Sequence, residues 1–180
     1  MNMATLTIPV TQHDHVRGPA QAPITVVEYG DYECPHCAAA APIVNQLQSS
    51  FDGQMRSIFR HFPLTEVHPH AEYAAEGAEF AGAAGVFWEM HEALFQQQSR
   101  LSLAAILLIG EELGLSSQAM RDALETGQYR DKVRSDISGG IRSGVNGTPT
   151  FFINGVRHDG SYDYASMATE IQTRLAASSA

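Results

Sequence analysis

The only two cysteines of this 180-residue chain lie together in Tyr32-Glu33-Cys34-Pro35-His36-Cys37, with two residues between them. A β-branched, strand-like run over residues 24–29 leads into them, and a helix-like run over residues 38–48 leads out. A sulfur at the start of a helix faces unpaired N–H groups and the positive end of the helix dipole, and both favour thiolate over thiol. His36, when protonated, adds a second positive charge nearby. Cys34 is therefore expected to be the exposed, low-pKa attacking sulfur. Cys37, one turn further in, is expected to be the less accessible resolving sulfur, placed where a disulfide closes without backbone movement. The chemistry this spacing implies is thiol–disulfide exchange. Two other uses of the pair stay open at this point. One is half of a zinc site completed from the eight histidines, with His68 and His70 as the obvious pair; the other is two inert, buried thiols. The strand–helix context favours exchange, and His-Pro-His is not a usual zinc-knuckle spacing.

Glu28 lies six residues before Cys34, inside the otherwise apolar run Ile24-Thr25-Val26-Val27-Glu28-Tyr29. Such a run reads as a central strand covered on both faces, where an unpaired carboxylate is costly. Either Glu28 is a buried proton acceptor for Cys37 with its pKa raised by desolvation, or it is half-exposed or salt-bridged, with Arg56 or Arg60 of the next strand as partner.

The elements that must hold these residues follow from pattern. Gly30-Asp31 turns out of the first strand, and Pro42 is expected to kink the following helix into a short active-site segment and a longer packing segment. Residues 55–62 alternate as a second strand. Residues 68–144 read as helical throughout, four or five short helices broken at Gly85, Gly114 and Gly127. Ser102 and Ser116 or Ser117 are candidate caps, and Phe87 and Trp88 candidate core. Asn154-Gly155 predicts a hairpin with arms 150–153 and 156–158. Pro149 stands at the entry to its first arm, either as an ordinary trans proline or with a cis Thr148–Pro149 bond that leaves the Thr148 backbone to pair with an extended substrate. A last helix is expected over residues 161–175. Residues 1–22 read as a flexible lead-in and 177–180 as a frayed end.

Net charge is −9 and Lys and Arg are nowhere clustered, which excludes nucleic acid and anionic membrane surfaces as obvious partners. The longest apolar run, residues 103–109, is too short to cross a bilayer. No charged-then-apolar signal opens the chain, so as written it is expected in the cytoplasm, or in the periplasm or another extracytoplasmic space if a native signal is missing from the sequence as given.

Taken together, the strand with Glu28, Cys34-Pro35-His36-Cys37, Pro42 five residues after Cys37, the helical stretch and Gly147-Thr148-Pro149-Thr150 before a hairpin resemble the bacterial DsbA-like thiol–disulfide oxidoreductases of the thioredoxin-fold superfamily. The resemblance implies an α/β thioredoxin fold over residues 23–176 with an inserted α-helical subdomain at about 68–126. It implies Cys34 as nucleophile, Cys37 as resolving cysteine and His36 as stabiliser of the Cys34 thiolate. The Pro35-His36 dipeptide is typical of the oxidising branch. Glu28 would be the buried acid, and Thr148-Pro149, with Pro149 cis and facing the disulfide, the substrate-binding element. No cofactor or metal is implied. The expected partners are protein or peptide thiols and a redox protein that recycles the site, with the chain itself a monomer. Two departures leave the direction of electron flow open: Thr148 stands where the best-known oxidases carry Val, and no export signal is present. A cytoplasmic reductase, a detoxifying enzyme using a low-molecular-weight thiol, and a zinc-binding structural module are the alternatives.

Overall fold

A five-stranded mixed sheet carries the site. In the computed structural model, which describes residues 4–178, its strands are β1 (His15–Arg17), β2 (Ile24–Gly30), β3 (Met55–His61), β4 (Thr150–Ile153) and β5 (Val156–Arg157), in the order β1-β3-β2-β4-β5. β2 is central, parallel to β3 and antiparallel to β4; β1 and β5 are antiparallel edges. The parallel β2–β3 pair requires a crossover, which α1 (Pro35–Ser50) supplies.

The period of two along β2 separates its faces. Ile24 and Val26 pack with Leu47 of α1 and with Met167 and Ile171 of α7 (Tyr164–Ser178). Val27 and Tyr29 pack on the other face with Ile58, Phe152 and Ile137 of α6 (Arg130–Arg142). Both faces are thus covered, which is why the run reads as continuously apolar. Four further helices, α2 (Ala71–Ala83), α3 (Phe87–Gln96), α4 (Leu103–Glu112) and α5 (Ser117–Thr126), with a 3₁₀ turn at Gln98–Arg100, build a separate cluster that also takes in Tyr32, Cys34, Cys37 and Phe59. Ser102 and Ser116 cap α4 and α5 by accepting the N–H of Ala105 and Ala119. Phe87 is core; Trp88 is only partly buried and carries Arg17 over its ring at 4.3 Å.

Three expectations are corrected. The segment before β2 is not a lead-in outside the domain: β1 extends the sheet, Thr5 bridges Val156, and Leu6 and Val10 pack on the core. Its hold is polar as much as apolar, because the buried Arg60 guanidinium bonds Asp14 at 2.8 and 2.9 Å and the carbonyls of Ile8 and Pro9. Residues 1–3 lie outside the described residues. The helix after the cysteines begins at Pro35, three residues before its expected start, and runs through Pro42 as one 16-residue element. The last helix continues to Ser178, three residues beyond its expected end, and residues 179–180 lie outside the described residues.

Candidate active site

Cys34 is the N-cap residue of α1, with φ −74° and ψ 120°, and Pro35 follows in the first turn, where its missing N–H has no helical partner to lose. This places the Cys34 sulfur over the open N–H end of the helix and Cys37 one turn inside it. Both thiols are reduced, Cys37 wholly buried and Cys34 only 4% exposed. The attacking sulfur is therefore covered rather than exposed, because the helical cluster and the loop before β4 close over it. Its Sγ lies 3.4 Å from the Thr148 carbonyl oxygen, and the Thr148–Pro149 peptide is cis.

The electrostatics separate the two sulfurs. The Cys34 pKa is lowered to about 5, first by the Cys37 S–H donating to it, then by Thr148 and by the peptide N–H groups of Cys37 and His36, all against a desolvation penalty. The Thr148 hydroxyl is buried with no hydrogen-bond partner in the thiol form, so it is a donor that a Cys34 thiolate can take up. Burial pushes the Cys37 thiol far up, and its bond to Cys34 and the nearby Glu28 push it further. The Asp31 N–H, 3.4 Å away, acts in the opposite direction. One sulfur is held as thiolate and the other as thiol.

Glu28 is buried, and burial followed by repulsion from Cys34 raises its pKa to about 8. Its Oε1 has no hydrogen-bond partner. Neither arginine of β3 reaches it, and the register explains why. Glu28 pairs with Phe59, so Arg56 and Arg60 project from the opposite face. Arg56 bonds Thr25 and the Ala20 carbonyl, and Arg60 bonds Asp14 and the Tyr29 hydroxyl. The half-exposed or salt-bridged reading of Glu28 is thereby overturned.

His36 is exposed, and its ring turns to the Tyr162 hydroxyl at 3.1 Å. What reaches the Cys34 sulfur from His36 is the peptide N–H rather than the imidazole. His68 and His70 do not join the cysteines. His68 Nδ1 lies 2.8 Å from the buried Asp31 carboxylate, and His70 bonds Glu33 through its N–H and its ring. The zinc reading loses its second ligand pair to these carboxylates, which clamp the loop before Cys34 to residues 64–70. Elsewhere among the described residues His61, Glu79 and Asp136 come close enough to hold a cation. There the Lys132 ammonium already stands 2.7 Å from both Asp136 oxygens, an internal cation in place of a metal.

The residues that sequence reasoning missed are Asp31, Tyr162 and Gln98. Gln98 Nε2 lies 2.8 Å from the Tyr32 carbonyl and 2.9 Å from that of Cys34. Nothing in the polar run Gln96-Gln97-Gln98 singles it out.

A central strand feeding a dithiol at the N-terminus of a helix, with a cis-proline loop against the sulfur, defines a thioredoxin-fold protein. A thioredoxin family model matches residues 10–173. The chain belongs to that family. Among solved structures it is similar to BdbD of Bacillus subtilis, with TM-score 0.87, 23% identity and coverage of 97% of this chain and 99% of that one. It is also similar to α-DsbA1 of Wolbachia pipientis, with TM-score 0.81, 24% identity and coverage of 93% of each chain. Curated relatives include Na⁺/H⁺ antiporters named NhaA from Salinispora arenicola, 45% identical over 172 residues, and Salinispora tropica, 42% identical over 172 residues. Each match covers 95% of this chain, which spans about a quarter of those relatives' length, 26% in each case.

Proposed function

We propose that this chain is a thiol–disulfide oxidoreductase that donates the Cys34–Cys37 disulfide to protein or peptide thiols, acting as a monomer and recycled by a separate redox partner. The observation that carries this reading is the placement of the two sulfurs: Cys34 caps α1, where the peptide N–H groups of His36 and Cys37 help to lower its pKa to about 5, and Cys37 is wholly buried, which pushes its pKa up. A reduced form stabilised in this way makes the disulfide a strong oxidant.

In the oxidising direction a substrate thiolate attacks Cys34 Sγ, the Cys34–Cys37 bond breaks, and Cys37 leaves with the electron pair. Glu28, protonated below about pH 8, is the acid placed to return a proton to Cys37. A second substrate thiolate then attacks the substrate sulfur of the mixed disulfide, and Cys34 leaves as its stabilised thiolate. The substrate loses two electrons and the dithiol gains them. Pro149 and the Thr148 backbone form the edge along which the substrate segment lies. In the reverse direction Cys34 attacks a substrate disulfide and Cys37 resolves, with Glu28 taking its proton. An extracytoplasmic setting fits the oxidising direction, because disulfides persist there.

Antiporter activity is not carried over from the curated relatives. The match covers a quarter of them, and among the described residues no helix is long and apolar enough to cross a membrane.

The test is transfer itself. The oxidised protein, mixed with a reduced peptide bearing two cysteines, should form the peptide disulfide in stoichiometric single turnover. Cys37→Ser, mixed instead with the disulfide form of the peptide, should be trapped as a mixed disulfide on Cys34 with release of one peptide thiol, and Cys34→Ser should neither oxidise the reduced peptide nor be trapped by the oxidised one. A Cys34→Ser protein that still oxidises the peptide would contradict the reading.

A further inference from the structure

We propose that Gln98 is a positioning residue for the dithiol: its side-chain amide fixes the loop that presents Cys34 and thereby sets how strongly the thiolate is favoured. Its Nε2 lies within hydrogen-bond distance of two main-chain oxygens, 2.8 Å from Tyr32 and 2.9 Å from Cys34, and an amide nitrogen has one hydrogen for each. The Cys34 carbonyl also accepts the first bond of α1, from the Ala38 N–H at 3.1 Å. Gln98 therefore grips the chain at the point where loop becomes helix. No other side chain among the described residues is seen to bond either carbonyl.

Peptide units are rigid planes, so pinning the carbonyls of Tyr32 and Cys34 leaves little freedom at the residues between them. The direction of the Cys34 Cα–Cβ bond follows. That direction decides whether Sγ meets the N–H groups of His36 and Cys37, which are among the donors that favour its thiolate. Asp31 and Glu33 hold the same loop from the other side through Leu64, His68 and His70, but they act before Cys34 and not on its carbonyl. Gln98 belongs to the 3₁₀ turn between α3 and α4, so the amide ties the helical cluster directly to the reacting sulfur. The helices then do more than cover the site; they tune it.

The inference rests on Cys34 being the attacking sulfur, and one experiment separates the two. Thiolate absorbance of the reduced full-length protein is titrated against pH, and the reduction potential is measured, for the wild type, Gln98→Leu, Gln98→Glu and Gln98→Arg. Leucine removes the donors, glutamate keeps the shape but offers oxygens to two carbonyls, and arginine restores donors. The expected result is a raised Cys34 pKa and a less oxidising potential in the first two variants, with Gln98→Arg at or below the wild-type pKa because its charge adds to its donors. The thiolate fraction below the midpoint should fall about three- to tenfold, as for the loss of one or two hydrogen bonds. If Gln98→Leu fails to fold, Gln98→Glu alone decides. Variants that titrate as the wild type does would overturn the role of Gln98 while leaving the dithiol reading intact. A wild-type Cys34 that titrates as an ordinary thiol would overturn that reading, and the inference with it.

Discussion

At the scale of single residues, the site works by giving neighbouring groups opposite environments. Cys34 sits over helix N–H groups and Cys37 among apolar side chains, so two thiols of equal intrinsic acidity separate. Glu28 is the third member, and its cost to stability is measurable. Its folded pKa of about 8 exceeds the ordinary value of 4.5, so between those pH values the native state binds more protons than the unfolded chain. Stability must then fall as pH rises through that window, by up to about 1.4 kcal/mol per pH unit. Cys34 acts oppositely in the reduced protein: its folded pKa is depressed to about 5, so its contribution is present above the ordinary thiol value and lost as pH falls through 5. Denaturant unfolding of the oxidised form removes the Cys34 thiolate and isolates the burial part of the Glu28 effect. Glu28→Gln should be more stable than wild type at pH 9, by a few kcal/mol at most, with the gap closing towards pH 5. The same variant should slow release of Cys37 in the exchange reaction. An equal gap at both pH values would mean that Glu28 does not titrate in the native state.

At the scale of elements, what could be read from the sequence was what period and turn chemistry encode. The central strand, the helix after the cysteines, the Asn154-Gly155 hairpin and the capping serines each carry a local signal. β1 carries none. His15-Val16-Arg17 is three residues of edge strand in a polar segment, and its place is set by partners distant in sequence. His15 stacks on Phe87 at 3.6 Å and bonds Glu79, while Asp14 pairs with the buried Arg60. Because the Asp14–Arg60 pair is buried on both sides, removing one member strands the other. Asp14→Ala should lower unfolding stability by about 3–5 kcal/mol and loosen residues 4–17, read by urea titration and hydrogen exchange. A loss below about 1 kcal/mol would mean that the segment is not held by this pair. Gly30 is a second element-level constraint. A Cβ there would lie 2.4 Å from the Phe59 ring beside Glu28, so Gly30→Ala should cost about 1–3 kcal/mol by thermal or urea unfolding.

At the scale of the whole molecule, a sheet with helices on both faces delivers one dithiol, one buried acid and one cis-proline loop to a single point. A helical cluster reaches over that point through Gln98. Motif and spacing singled out the two sulfurs and the anomaly of Glu28, while the cis form of Pro149 came only from the family resemblance. They could not tell which face Arg56 and Arg60 take, because register decides it, nor that His36 turns to Tyr162, because the two are joined only by the fold. The measurement that tests the account most directly is the reduction potential of the Cys34–Cys37 pair, obtained by equilibration with glutathione buffers and trapping of free thiols. A low Cys34 pKa beside a raised Cys37 predicts a potential near about −120 mV, as for the strong oxidant DsbA. A value near about −270 mV, in the range of thioredoxin, would show that the thiolate is not stabilised and would contradict the oxidising function proposed for this chain.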